Sequence, residues 1–233
     1  MSNIAIIPAR GGSKRIPRKN LQSFCGKPII AYSIEAAVRS SLFDEVIVST
    51  DDAEIAEVAK QYGATIPFMR SEKNADDFAT THDVIKEVII SYQNISRSFQ
   101  YGCCLYATAP FVTSSLLHQA FKILTDDSRD SVFPVVKYSY PIWRSLKIED
   151  KKVEMWFPEN TNKRSQDLPA AYHDAGQFYW FNIQSILEQE SLFTKNAGAL
   201  IVDELNMHDI DSLPDWQIAE MKFKYLHGIN NEG

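Results

Sequence analysis

The chain has 233 residues, 45% hydrophobic and 23% charged, which suits one sizeable globular domain and argues against disorder. A formal net charge of −6 disfavours a general nucleic-acid binder. No apolar run approaches the roughly 20 residues of a spanning helix, and Met1 to Asn3 leaves no room for a leader before the first strand.

Ile4 to Ile7 is an apolar run ending at Pro8, and Arg10-Gly11-Gly12-Ser13-Lys14 follows, with further cations up to Lys19 and Asn20. This reads as a buried parallel strand opening into a phosphate-cradling loop. Glycines let backbone N–H groups turn toward an anion, while Arg10, Lys14 and Lys19 supply counter-charge for a triphosphate. The spacing matches neither Gly-x-x-x-x-Gly-Lys-Ser/Thr nor Gly-x-Gly-x-x-Gly, so an ordinary P-loop NTPase or dinucleotide oxidoreductase is disfavoured. Local cations on an acidic chain suggest a small anionic ligand.

Pro28 suits the first turn of a helix whose packed face is Ile29, Ile30, Ile34, Ala37 and Val38. Glu45 to Thr50 is a β-branched strand, and Asp51 stands at capping-box spacing from Glu54 before a helix closed by Gly63. Thr65 to Phe68 is a third strand candidate, with Arg70 where it runs out and the polar segment Ser71 to Thr81 beyond. Thr80 or Thr81 can cap the helix carrying Val84, Ile85, Val88 and Ile89. Tyr101 to Thr108 and Ser131 to Val136 are further strands around a helix opened by Thr113 or Ser114. The rhythm implies right-handed βαβ units and a Rossmann-like, doubly wound, mostly parallel sheet, with ligands at its carboxyl edge. Cys25, Cys103 and Cys104 are odd in number, and the adjacent pair would face opposite sides of a strand, so buried thiols in the reducing cytoplasm are expected.

Trp143 to Ile148 and Val153 to Phe157 alternate like a hairpin, giving a single domain over 1–233 with 140–160 as a projecting element. Such a hairpin either reaches a partner subunit or folds onto its own domain. Asn160 to Asp174 is polar, Gln177 to Phe181 and Ala199 to Val202 are strands, and Pro214 begins a terminal helix. Before it, Asp209 and Asp211 flank Ile210: an extended backbone puts both carboxylates on one side. Two aspartates are enough protein for magnesium, with manganese the alternative.

The stretch from Ile4 to Asn20, continuing into Leu21 and the Gly26-Lys27-Pro28 turn, resembles the opening signature of the CMP-sialic acid synthetases. The resemblance spans essentially the whole chain. It implies nucleotidyl transfer, in which a sugar hydroxyl attacks the α-phosphorus of CTP and pyrophosphate leaves. It also implies nucleotide contacts at Arg10, Gly11, Ser13, Lys14, Lys19, Asn20, Arg70, Ala79 and Thr81, a metal site at Asp209 and Asp211, charge neutralisation by Arg10, Lys19 and Asp211-bound metal, and a homodimer joined through the hairpin. Synthetases for N-acetylneuraminate carry Gln where this chain has Ala107, and Arg-Pro-Asn-Gly at 173–176. The runs 103–107, 164–168 and 172–176 instead resemble the branch acting on pseudaminic acid, a diacetamido nine-carbon 2-keto acid. On that basis Arg164 is expected on the substrate carboxylate, with Ala107, Gln166, Tyr172, His173 and Asp174 on the sugar face, and His173 or Asp174 assisting deprotonation.

Overall fold

The computed structural model describes residues 2–76 and 78–229, so Met1 lies outside the described residues. The first strand, β1 (Asn3–Pro8), is buried from Asn3 to Ile7, as its unbroken apolar run requires of a strand covered on both faces. Two short strands, β2 (Ser23–Phe24) and β3 (Lys27–Pro28), turn the chain into α1 (Ile29–Ser40). Pro28 thus precedes the helix, and Val38 stays 43% exposed while Ile29, Ile30, Ile34 and Ala37 are buried. There follow β4 (Glu45–Ser49), α2 (Ala53–Gln61), α3 (Thr81–Asn94), β5 (Tyr101–Leu105), α4 (Ser114–Asp126) and β6 (Ser131–Lys137). A hairpin of β7 (Leu146–Glu149) and β8 (Lys152–Met155) comes next, then β9 (Tyr172–Asp174), β10 (Phe178–Asn182), α5 (Ile183–Gln189), β11 (Ala197–Val202) and α6 (Leu213–His227).

The main sheet runs β11-β6-β10-β5-β1-β4, with β9 also paired to β6. β1 is parallel to β4 and β5, and β6 to β11, whereas β10 is antiparallel to both its neighbours. Alternation along β5 sends Cys103 and Cys104 to different cores. Cys103 joins Ile7, Ile34, Leu117 and Trp180 on the α1, α4 side, and Cys104 joins Ile6, Ile85, Ile89 and Phe181 on the α3, α5 side. Both thiols are fully buried, as expected.

Three expectations change. Thr65 to Phe68 is no strand: only Thr65 bridges to Ile47, and Pro67 follows where a ladder donor would be needed. β5 stops at Leu105, because Tyr106 begins a turn after donating its N–H to Gln177 O at 2.9 Å. The cap of α2 is Asp52, accepting from the N–H groups of Glu54 and Ile55, which releases Asp51 for other work. The hairpin forms, pairing Leu146 with Met155 and Ile148 with Val153 across a two-residue turn in which Asp150 and Lys151 take φ of 48° and 65°.

A third, smaller core lies under α6 and decides where the site forms. Phe24 meets Trp216 and Phe223 edge-on at 5.5 and 5.4 Å, and Ile16 from the loop and Ile210 from the acidic turn are buried in the same cluster at 2% and 1% exposure. Ser212 opens α6 through a reciprocal capping box with Asp215. Among the described residues no helix is long and apolar enough to cross a membrane. Phe24→Ala removes a fully buried ring whose neighbours close poorly around the gap, and we expect it to cost about 3–5 kcal/mol in urea unfolding; a loss under about 1 kcal/mol would show that this cluster does not hold the fold.

Candidate active site

The loop after β1 is fixed from within before any ligand arrives. Ala9 continues the strand by donating its N–H to Ser49 O at 2.9 Å. Gly11 N–H donates to Asp51 Oδ1 at 2.9 Å, and the buried Asn20 donates its side-chain amide to Arg10 O at 2.9 Å. Gly11 is demanded by space: a Cβ there would come within 2.7 Å of Asp52 Oδ2 and 3.1 Å of Asp52 Cβ. Asp52 cannot swing aside freely, since it caps α2 and its carboxylate also pairs with Arg18. Arg18 reaches Glu54 as well and holds a left-handed φ of 53°. Gly11 N–H is therefore spent on Asp51, and its role is close packing.

Inside this frame lies a cavity of about 410 Å³. Arg10, Ser13, Lys14, Lys19 and Asn20 line it from the loop, Ala107 from the end of β5, and Asp211 from the acidic turn. Lys19 Nζ lies 3.9 Å from Asp211, and Arg15 Nη1 lies 2.7 Å from its other oxygen. Burial holds the Lys19 ammonium below the usual lysine range, opposed by the charges of Asp211 and Asp209. Asp211 stands on the cavity wall and Asp209, exposed in the same turn, does not, while Ile210 points into the core. A larger groove of about 690 Å³ between α1 and α6 contains none of these residues, and its Glu35 already accepts from Lys27 and Arg39. Chemistry places the site in the smaller cavity.

Ala79 and Thr81 are not on this cavity's wall, Ala79 lining a separate cavity beside α3. Arg10 Nη1 donates to Asp76 O at 2.8 Å, and Ala79 N–H donates to Asp76 Oδ1 at 2.8 Å, tying the segment before α3 to the loop. Thr81 begins α3, and its hydroxyl lies 3.5 Å from Tyr106 Oη. Arg70 is not on the cavity wall. Its Nε donates to Ser49 Oγ at 3.1 Å, another guanidinium N–H donates to Ser49 O, and burial lowers its pKa against the pull of Asp51. It braces the end of β4 behind the loop.

The sugar-side set is divided. Ala107 is on the wall, but Arg164 is exposed and paired with Asp167 at 2.9 Å, with Gln166 exposed in the same turn. Tyr172 is 43% exposed at the start of β9. His173 packs its ring on Tyr138 at 4.9 Å, and Asp174 accepts from Tyr179 Oη and from Gly176 N–H at 2.9 Å. The structure does not bring Arg164 and Gln166 to the cavity. It adds residues that sequence reasoning missed: Arg15 beside Asp211, Asp51 on Gly11, and Tyr106 on the wall. Tyr106 lay inside the run 103–107 that carried the resemblance, but as an aromatic residue within an expected strand it read as core.

The family model described as cytidylyltransferase matches residues 4–211. The chain belongs to the cytidylyltransferase family. It is 41% identical over 228 residues to the pseudaminic acid cytidylyltransferase of Campylobacter jejuni, covering 97% of this chain and 98% of that one. It is 33% identical to the CMP-N,N'-diacetyllegionaminic acid synthase of Legionella pneumophila, covering 94% and 95%. A solved structure of CMP:2-keto-3-deoxy-manno-octonic acid synthetase complexed with CTP superposes with a TM-score of 0.72 at 16% identity, over 97% of this chain and all of that one, which shows the shared fold. The protein is accordingly an enzyme that transfers a cytidylyl group.

Gly11→Ala must push Asp52 off its cap or the loop off its strand. We expect kcat/KM for CTP to fall on the order of 10²-fold, with stability reduced by only about 1 kcal/mol; unchanged kinetics would remove the loop's geometry from the account.

Proposed function

We propose that this cytidylyltransferase joins CTP to pseudaminic acid, giving CMP-pseudaminic acid and pyrophosphate. The observation that carries the reading is the 41% identity with the Campylobacter jejuni enzyme along nearly all of both chains. It is supported by a cavity in which Arg10, Lys14 and Lys19 face Asp211 at the carboxyl edge of β1 and β5. In-line attack of a sugar hydroxyl on the α-phosphorus needs no covalent nucleophile. What it needs is neutralisation of charge that grows on the phosphate oxygens, and the half-buried Lys19 and Arg10 provide cations in a partly desolvated place, where their field is stronger than in water.

Asp209 and Asp211 fit a divalent cation. Both carboxylates act on Lys19, and among the described residues no group of three or more His, Cys, Asp or Glu gathers at a metal-binding spacing. Two carboxylates offered from one turn are enough protein for magnesium, or manganese, which keeps waters and takes substrate oxygens. When bound, the cation would supply positive charge against the developing charge of the phosphates. Arg15, now on Asp211 at 2.7 Å, must then share or yield that carboxylate, and a triphosphate is the natural new partner for its guanidinium.

The hairpin supports a homodimer. Leu146, Ile148 and Val153 share one face at 58%, 73% and 59% exposure, while Lys147, Glu149 and Glu154 take the other, with Lys147 paired to Glu154 at 3.0 Å. An apolar face of this kind on a detached two-stranded sheet is stable only when covered.

Magnesium-dependent pyrophosphate release, with pseudaminic acid, N-acetylneuraminate and diacetyllegionaminate offered in parallel, tests the reading directly. Turnover with the first and not the others is expected, and Asp211→Asn should lower kcat by 10²-fold or more, on the order of what one charge-stabilising group supplies. Preference for either other acid would move the substrate assignment within the family. For the dimer, Ile148→Glu should shift the sedimenting species to half the mass at micromolar concentration; an unchanged mass would place the subunit contact elsewhere.

A further inference from the structure

The acidic turn is gripped on both sides by one helix. On its C-terminal side, Asp215 Oδ2 accepts the Ser212 N–H at 2.7 Å as part of the capping box of α6, and it also accepts the Asp211 N–H at 3.1 Å, which no cap requires. On its N-terminal side, Lys222 Nζ donates to Glu204 O at 2.9 Å and to Met207 O at 3.0 Å. Between those two carbonyls, Asn206 O accepts from Gln177 Nε2 at 2.7 Å, and Gln177, only 2% exposed, takes the Tyr106 N–H on its own carbonyl. The stretch from 204 to 211 therefore hangs from α6 at two points and from the residue before β10 at a third.

These contacts do what burial cannot. Ile210, at 1% exposure, sets how deep the turn sits, but apolar burial is non-directional and leaves the turn free to twist about the chain axis. Hydrogen bonds are directional, and a pair of them on either side of the turn removes that freedom. Both grips are charge-assisted, a carboxylate on N–H donors and an ammonium on carbonyls, which is the stronger kind. Asp215 and Lys222 are seven residues apart, so they share a face of α6 about 10 Å apart along its axis, and one rigid helix sets both ends of the segment. A lysine ordinarily keeps its ammonium in water; Lys222 is half-buried and turns its ammonium onto main-chain oxygens. What the twist of the turn decides is where Asp211 points, and its carboxylate stands on the cavity wall 3.9 Å from Lys19 Nζ.

We propose that Lys222 and Asp215 are positioning residues for cytidylyl transfer, fixing the direction of the Asp211 carboxylate from outside the cavity. Neither residue lines the cavity. The inference rests on the reading of Asp211 given above and deepens it: the acidic turn works because α6 holds its backbone at both ends.

The test compares Lys222→Met, Lys222→Arg, Asp215→Asn, Asp211→Asn and the Asp211→Asn/Lys222→Met double variant by steady-state kinetics, urea unfolding and amide hydrogen exchange over residues 204–212 without substrates. Lys222→Met keeps the aliphatic stem and loses the ammonium. Its kcat should fall about tenfold, less than a misplacement of about 1 Å can cost, with each KM within about twofold. Exchange over 204–212 should be about tenfold faster while the urea midpoint stays near that of the wild type, as local loosening requires. Lys222→Arg, whose guanidinium can reach both carbonyls, should recover most of the rate. On the Asp211→Asn background, Lys222→Met should cost less than about twofold more, because it acts through that carboxylate. A merely structural role would lower the urea midpoint along with the rate or add its full loss to Asp211→Asn, and either result overturns the proposal, as does faster exchange with kcat unchanged. Asp215→Asn keeps an acceptor at the helix start and should show the same signature more weakly, so the proposal is read out even if Lys222→Met folds poorly. An Asp211→Asn variant with wild-type kcat would fail the reading of the site; a wild-type kcat in Lys222→Met beside a crippled Asp211→Asn would fail this inference alone.

Discussion

Ile16 and Ile210 are separated by most of the chain, yet both are buried in one small cluster with Phe24, Trp216 and Phe223. That shared burial is the constraint on which the site depends. Ile16 sits between the cations of the loop, and Ile210 sits between two aspartates. Hiding both isoleucines under α6 forces the charged neighbours of each outward, toward one another. Lys19 and Arg15 consequently face Asp211 across the cavity. A charge arrangement that would repay little on its own at a half-exposed surface is held in place by apolar burial, whose free energy is larger and does not depend on salt.

The loop shows a second use of the same economy. Cations packed around an anion site repel one another when the ligand is absent, and a chain with a net charge of −6 has acids available to hold them apart. The start of α2 supplies these acids: Asp51 takes Gly11 N–H, Asp52 takes Arg18 while capping its own helix, and Glu54 takes Arg18 as well. Arg70 closes the arrangement from behind by bracing Ser49 at the end of β4. The loop is thereby set in advance of its ligand, so the ordering cost is met on folding and not on binding.

Much of this was legible in the sequence wherever periodicity and chemistry agreed. The βαβ rhythm, the opposite faces of Cys103 and Cys104, the hairpin, and the loop facing Asp211 follow from local patterns whose period fixes which side a residue takes. The failures share a cause, which is that a local pattern leaves a tertiary partner undetermined. Asp51 and Asp52 are adjacent acids before a helix, and only the position of Gly11 decides which one caps. Arg70 follows a strand end, as a ligand-binding arginine would, but the carbonyl of Ser49 claims it. Arg164 and Gln166 lie in a polar stretch whose path relative to the sheet no spacing rule gives, and they stand exposed away from the cavity. Tyr106 was hidden for the opposite reason: an aromatic residue within an expected strand reads as core until the strand is seen to stop at Leu105 and leave Tyr106 on the cavity wall.

The antiparallel β10 explains why the two sides of the site have such different construction. It lies between β5 and β6, and its ladder with β5 ends where Tyr106 pairs with Gln177. Beyond that point Gly176, at a φ of +62°, turns the chain so that β9 follows β6 alone. A gap opens at the carboxyl edge of β5, where an all-parallel sheet would have continued its pairing. The cation-bearing loop after β1 is tied to β4 and α2, whereas the opposite wall is set by Tyr106, Tyr179 and the β9 segment. The two walls are therefore anchored on different elements, the loop on β4 and α2 and Tyr106 on β10, so residues of β9 and the end of β5 can change without moving the cations of the loop.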